Sequence, residues 1–215
     1  MELPLFPLAT VLYPGLPIPL HIFEERYREM FARVLDGDRR FGVMAIARGY
    51  EVGDQPEHHS VGCVAEVREI HRYPDGRLDV LAWGEHRFRI ERVTQPVPYI
   101  VADVTVLPEP AGTDAGRLVA RAGWLFTRYL SIMLKFASEA AETEQLEVPE
   151  DPVAASFLIA AGLQIELADK QQLLAAETAA ERLRAELRLL RRELALLEHL
   201  NIAGPAKSAV TFAPN

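Results

Sequence analysis

Along this chain the rhythm of apolar positions changes once. The first half alternates on the two-residue period of strands, and the second half repeats on the three-and-four steps of helices. Residues 3–11 and 16–22 are apolar, proline-punctuated extended segments separated by a turn at Pro14-Gly15. Proline cannot donate to a ladder, so these segments are expected at edges, strand starts or bends. Over 24–35, Tyr27, Met30, Phe31 and Val34 recur at i, i+3, i+4 and i+7 while Glu25, Arg28, Glu29 and Arg33 face away, which predicts an amphipathic helix. Glu24 and Glu25 sit where the helix dipole favours acids, and Asp36-Gly37-Asp38 ends it. Residues 41–47 form a continuous apolar run, expected as a strand buried on both faces, and 49–60 reads as an exposed loop. Two β-prone runs, 61–72 and 78–83, flank Tyr73-Pro74-Asp75-Gly76-Arg77, in which proline presets the turn and glycine supplies a positive φ. Gly84 is expected to bend the chain into 87–93, where Phe88 and Ile90 alternate with Arg87, Arg89 and Glu91. Ile100, Ala102, Val104 and Val106 predict a last strand. Several short strands around one helix point to a small closed or nearly closed β-barrel.

Pro108-Glu109-Pro110-Ala111-Gly112 marks the change of period. Beyond it Leu118, Ala122, Leu125, Tyr129, Ile132 and Phe136 form one stripe, with Thr113 or Asp114 as the N-cap. Asp151-Pro152 pairs a cap with proline at the first helical position, and Gly162 marks that helix's end. Asp169 is expected to cap a short helix through Leu174, and Thr178-Ala179-Ala180-Glu181 is a capping box opening another. The last helix carries Leu183, Leu187, Leu190, Leu194 and Leu197 and stops at Gly204-Pro205. So few heptads predict a seam within a bundle rather than a coiled coil. The boundaries expected are a barrel at 1–108, a linker at 109–113, a helical bundle at 114–201 and a tail at 202–215.

Charge changes this picture by exclusion. The chain has 215 residues, 49% hydrophobic and 25% charged, with a net charge of −8. Residues 1–108 carry 12 basic and 16 acidic side chains and 109–215 carry 11 and 15, so neither part is basic. A phosphate-binding surface needs an excess of Lys and Arg, so nucleic acid is an unfavoured partner. A single cysteine, Cys63, excludes an internal disulfide and fits a reducing compartment. The proline-broken N-terminus is not a signal peptide, and no apolar run approaches the ~20 residues of a membrane span. The expected location is cytoplasmic.

Reactive constellations are thin. Ser131 and Lys135 sit four apart on a predicted helix, but nothing indicates a buried neutral lysine or an oxyanion site beside them. Glu57-His58-His59, Cys63 and His71 lack metal-site spacing, so no metal is expected and Cys63 reads as a small buried hydrophobe. The glycines form no phosphate loop, and no cofactor is expected. Arg182, Arg184, Arg188, Arg191 and Arg192, interleaved with Glu181, Glu186 and Glu193, read as a solvated helix face.

Several motifs in order carry a family resemblance. Leu5-Phe6-Pro7-Leu8, Val11-Leu12-Tyr13-Pro14-Gly15 and Pro19-Leu20-His21-Ile22-Phe23-Glu24-Glu25-Arg26-Tyr27 resemble the entry motif of Lon protease N-terminal domains. Phe41-Gly42-Val43, Gly62-Cys63-Val64-Ala65, Pro74-Asp75-Gly76-Arg77 and Arg87-Phe88-Arg89-Ile90 are similar to its central strands. Asp151-Pro152, Lys170-Gln171-Gln172-Leu173-Leu174 and Glu181-Arg182-Leu183 are similar to its helical part. The resemblance implies an α+β fold: a PUA-like small β-barrel with an inserted helix, followed by an α-helical bundle with a long C-terminal helix. It also implies a non-catalytic module that recognises protein substrates. No glycine is followed by lysine, so no Walker A loop is present, and a stand-alone member without the ATPase and peptidase domains is expected.

Recognition without reactive groups must use main-chain pairing, apolar pockets or charge. Unfolded or partly folded polypeptides are the expected partners, with a separate protease or chaperone downstream. The candidate surface lies where the barrel meets the 24–35 helix and comprises Phe23, Glu25, Arg26 and Glu29. Core packing is the competing reading of Phe23, and a solvated helix face that of the other three. The alternative functions are a scaffold docking one folded partner and RNA binding through a PUA-like barrel.

Overall fold

A computed structural model of the chain describes residues 1–48, 57–137 and 147–203. Among these residues seven strands come first, interrupted by one helix: β1 (Glu2–Leu8), β2 (Pro17–Ile22), α1 (Glu25–Asp36), β3 (Arg40–Arg48), β4 (Glu57–His58), β5 (Val61–Arg72), β6 (Leu78–Gln95) and β7 (Ile100–Val106). Four helices follow: α2 (Ala115–Ala137), α3 (Pro152–Gly162), α4 (Leu167–Ala175) and α5 (Ala179–Ala203). The strands pair in the order β1-β7-β6-β5-β3-β4, and a parallel β1–β3 pairing closes β1, β7, β6, β5 and β3 into a ring.

β1 lies inside that ring although it carries Pro4 and Pro7, residues expected at edges, strand starts or bends. It changes neighbours at Leu5, pairing β7 over Glu2–Leu5 and β3 from Leu5 to Leu8. The Met1 and Val104 main chains exchange two 2.8 Å bonds, so odd residues of β1 face β7 and even ones face β3. Pro4 therefore faces β3 before that pairing begins, and Pro7 faces β7 after that pairing has ended. Neither missing N–H interrupts a ladder.

The β5–β6 hairpin turns where expected, with Tyr73 N–H donating to Arg77 O at 3.0 Å and Gly76 at φ 86°. Gly84 does not end a strand, because β6 runs unbroken for 18 residues. The irregularity is a register shift, in which Cys63 faces Arg87 but Ala65 faces Gly84. Gly84 is required for a different reason: a Cβ there would lie 2.3 Å from Tyr13 O, where the 11–16 segment crosses β6. The shift also changes which face each later β6 side chain meets, and Arg87 turns inward.

α1 buries the four residues its spacing predicts, Tyr27, Met30, Phe31 and Val34, against β1, β2 and β3. Phe6, Tyr27, Phe31 and Phe41 meet there edge to face, with Phe31 and Phe41 centroids 5.0 Å apart. The Leu183–Leu194 stripe of α5 is buried against α2 and α3, together with Ala122, Leu125, Phe126, Tyr129 and Phe157. Asp151 caps α3 through Ala154 N–H at 2.8 Å, and Thr178 Oγ1 accepts from Glu181 N–H at 3.1 Å. α4 differs from expectation. It begins at Leu167, and Asp169 lies in its first turn bonded to Arg192 at 2.9 Å rather than serving as the cap. The stop at Gly204-Pro205 falls outside the described residues.

Candidate functional site

Among the described residues β2 is paired on one side only, with β6 from Pro17–Trp83 to Ile22–Leu78. Gly84 N–H donates to Leu16 O at 2.9 Å, so the even residues of β2 bond β6 and Pro17, Pro19 and His21 face the outer edge. Two of those three positions lack an N–H. This edge therefore accepts hydrogen bonds but scarcely donates them, which disfavours strand addition and self-pairing alike. A ligand here is held by side chains.

The space for one lies beside that edge. A groove of about 230 Å³ runs between β1, β2 and the start of α1, lined by Phe6, Pro7, Leu8, Pro19–Ile22, Phe23, Glu24 and Tyr27. Phe23 is not core: it is 51% exposed and stacks on His21 at a 6.1 Å centroid distance. Glu25 and Glu29 are exposed on the first turns of α1. Arg26 is drawn back, bonded to Glu24 at 2.9 Å and 4.6 Å above the Tyr27 ring. The four expected residues thus cluster at one end of α1, with Phe23 on the groove and the two glutamates outside it.

Across β2 the groove adjoins a cavity of about 540 Å³ on the outward face of β2, β6 and β5, and Pro19, Leu20 and His21 line both. Asp79 is among its lining residues. Its Oδ1 is 2.6 Å from His21 Nδ1, and its Oδ2 accepts from Tyr73 OH at 2.6 Å. These two bonds, His21 first, hold the Asp79 carboxyl below its ordinary pKa, while the Tyr73 phenol is raised by donating to it. The sequence reading missed this cluster. Its signal was the alternation of His71, Tyr73 and Asp79 about the predicted turn, which brings residues on one face together.

A second polar cluster was also missed, and it is buried. Arg87 is 1% exposed and reaches Glu109 at 2.7 Å, Leu174 O at 2.7 Å, Ala176 O at 2.6 Å and Pro108 O at 3.1 Å. Arg182, 0% exposed rather than on a solvated face, donates to Leu173 O, Ser156 Oγ and Ala176 O and lies 3.9 Å above the Phe157 ring. Burial, then the nearby Arg87 charge, push the Arg182 pKa down to about 10. One turn on, Glu186 is buried with both carboxylate oxygens unpartnered among the described residues, and burial raises its pKa well above the usual range. These groups tie strand β6 and the 108–110 segment to α4 and α5. They are saturated or sealed, and so brace the fold rather than meet a ligand.

Cys63 is buried and its thiol pKa is pushed up by burial. Ser131 Oγ donates to Thr127 O at 2.8 Å, and the Lys135 side chain lies outside the described residues. Among the described residues no group of three or more His, Cys, Asp or Glu is placed to hold a metal, and no helix is long and apolar enough to cross a membrane.

A mixed α+β protein with a ring of strands, a helical second half and an apolar groove beside a proline-blocked edge is the arrangement to be placed. The family model of the ATP-dependent protease La (LON) substrate-binding domain matches residues 2–192, and the chain belongs to that family. It is 28% identical to the Lon protease of Escherichia coli K12 over 204 residues, covering 92% of this chain and 26% of that protein. With the Lon protease of Cytophaga hutchinsonii it shares 26% identity over 206 residues, covering 91% of this chain and 25% of that protein. The chain thus spans about a quarter of the length of the curated relatives it matches. In fold it is similar to the Lon N-terminal domain protein from Xanthomonas campestris, with a TM-score of 0.64 and 23% identity over 87% of this chain and 98% of that one. The N-terminal domain of the Mycobacterium avium complex Lon protease aligns with a TM-score of 0.65 and 21% identity over 89% and 98%. Membership assigns a substrate-binding role, and the homology lies with that region of Lon rather than with the catalytic remainder.

Proposed function

We propose that the chain captures unfolded or partly folded polypeptide segments in the groove between β1, β2 and α1, and acts as an adaptor or regulator in protein quality control. The observation that carries this reading is Phe23, a large aromatic held in solvent on the rim of an apolar groove. An exposed aromatic beside a pocket forfeits burial until a partner supplies it. Glu25, Arg26 and Glu29 form the polar margin. In this reading residues 1–108 are a PUA-like barrel with α1 inserted, which the closed ring of strands supports. Residues 114–201 brace it through the bonds of Arg87 to Leu174 O and Ala176 O and through the Arg182–Glu109 ion pair. Binding proceeds by burying side chains of the client, without bond making or breaking.

The test is titration of a chemically unfolded, alkylated polypeptide against the protein, then against Phe23→Ala and Glu25→Ala/Glu29→Ala. Saturable binding weakened by Phe23→Ala is expected. Affinity unchanged in both variants would remove this site. Cross-linking in native extract separates capture from scaffolding, since many unfolded clients are expected rather than one stoichiometric folded partner.

A further inference from the structure

Beyond the groove, the outward faces of β2, β6 and β5 line up in two cross-strand rows. His21 faces Asp79 and Asp79 faces His71 in one, and Pro19 faces Leu81 and Leu81 faces Glu69 in the next. The apolar groove thus leads over β2 onto a cavity whose lining carboxylates are Glu69 and Asp79, with Arg77 over the Tyr73 ring at its hairpin end and Arg68 over Trp83 at the other, each already paired to its own carboxylate, Asp75 and Glu66. Asp79 is kept charged by its bonds from His21 and Tyr73. Glu69 is exposed and makes no ion pair among the described residues, and neither do Glu25 and Glu29 on the groove's far margin. Beside the groove, Arg26 is already bonded to Glu24.

Resting on the capture reading above, we propose that the cavity over β2, β6 and β5 takes a lysine or arginine side chain of the bound polypeptide. The preferred client segment carries a bulky apolar residue beside a cationic one. The spacing follows from strand geometry. Neighbouring strands are about 4.8 Å apart and an extended chain advances about 3.3 Å per residue, so crossing from the groove over β2 to Asp79 takes roughly two to four residues. An ammonium or guanidinium there meets Asp79 and Glu69 at a partly enclosed surface, where opposite charges are worth more than in open water. A carboxylate in the same place meets two like charges, so the surface also rejects acidic segments.

The probes are three unstructured Gly/Ser peptides of equal length, each holding one Phe, with Lys, Ser or Glu about three positions away. Binding to the full chain is read by fluorescence anisotropy. At low salt the Lys peptide is expected to bind about tenfold tighter than the Glu peptide, with the Ser peptide between. The gap should fall to about twofold or less near 0.5 M salt. Glu69→Gln/Asp79→Asn, and Glu69→Gln alone to a smaller degree, should narrow the gap at low salt. Equal affinities for the Lys and Glu peptides overturn this proposal and leave capture in the apolar groove standing. A gap that survives both variants likewise overturns it, by placing the cation elsewhere. If none of the three peptides binds while the unfolded polypeptide does, the Phe-plus-cation motif is wrong. If that polypeptide also fails, the capture reading falls with it.

Discussion

At the junction of strands and helices, Arg87 and Arg182 are sealed from water and spend their donors on main-chain carbonyls, Glu109 and Ser156. At the groove, Glu25, Glu29 and Glu69 stand in solvent without ion partners among the described residues, and Phe23 stands with them. The two regions use charged side chains for opposite ends. A buried guanidinium loses hydration that only fixed acceptors replace, so its geometry is over-determined and a ligand gains nothing from it. An exposed carboxylate or aromatic keeps its interaction capacity in reserve for a partner. Charge pattern alone does not distinguish the cases. Burial does.

The contrast breaks first at Arg182. Arg182→Ala leaves the Leu173 carbonyl, the Ser156 hydroxyl and part of Glu109 without their cation, and a loss of about 3–5 kcal/mol is expected in denaturant unfolding. A loss below about 1 kcal/mol would mean that the junction is not a brace. Next comes Phe23→Ala. Its midpoint should stay within about 0.5 kcal/mol of the parent, as for a surface substitution, while affinity for unfolded polypeptide drops about tenfold. The opposite pattern, lost stability with unchanged affinity, would move Phe23 into the structural class.

Glu186 sharpens the comparison through pH. Its folded-state pKa is raised, so between the ordinary carboxyl range and that raised value the folded protein holds a proton that the unfolded chain releases. Stability from this group is therefore full at acidic pH and falls as pH rises through that window. Glu186→Gln removes the penalty. A gain of about 1 kcal/mol at pH 8, shrinking toward pH 4, is expected in paired melts. A gain independent of pH would show that the carboxyl does not change its charge on unfolding. Smallest of all, Glu25→Ala/Glu29→Ala should leave the melting curve within about 0.5 kcal/mol, because neither side chain has an ion partner to lose. A larger shift would place these glutamates in the fold's own support.

Periodicity and local punctuation made most elements legible before any coordinates. The stripe of Tyr27, Met30, Phe31 and Val34, the turn at Pro74-Asp75-Gly76, the Asp151 cap and the Leu183–Leu194 seam are all local, and each lies where its spacing places it. The misses share one cause. Arg87 sits in an alternating strand as though facing water, yet a register shift near Gly84 turns it inward, and a shift depends on the partner strand. Arg182 and Glu186 sit in a run of charges that reads as a wet face, and only tertiary packing buries them, Arg182 against Ser156 and Leu173. The prolines of β1 limited it to an edge, a strand start or a bend, and the change of neighbour at Leu5, which supplies a vacant side for each, is a matter of tertiary pairing.

The candidate site divides in the same way. That an aromatic and three charged residues cluster at the start of α1 follows from chain order, because a helix holds near neighbours together. That Phe23 faces solvent, that a groove opens beside it, and that Asp79 stands across β2 between His21 and His71 follow from the pairing of β2 with β6 and of β6 with β5. Those contacts join residues about fifty positions apart in some cases, and local propensity carries no information about them. The chain's own pattern determined its strands, helices and family. Packing alone determined which charges were sealed inside and which were left for a partner.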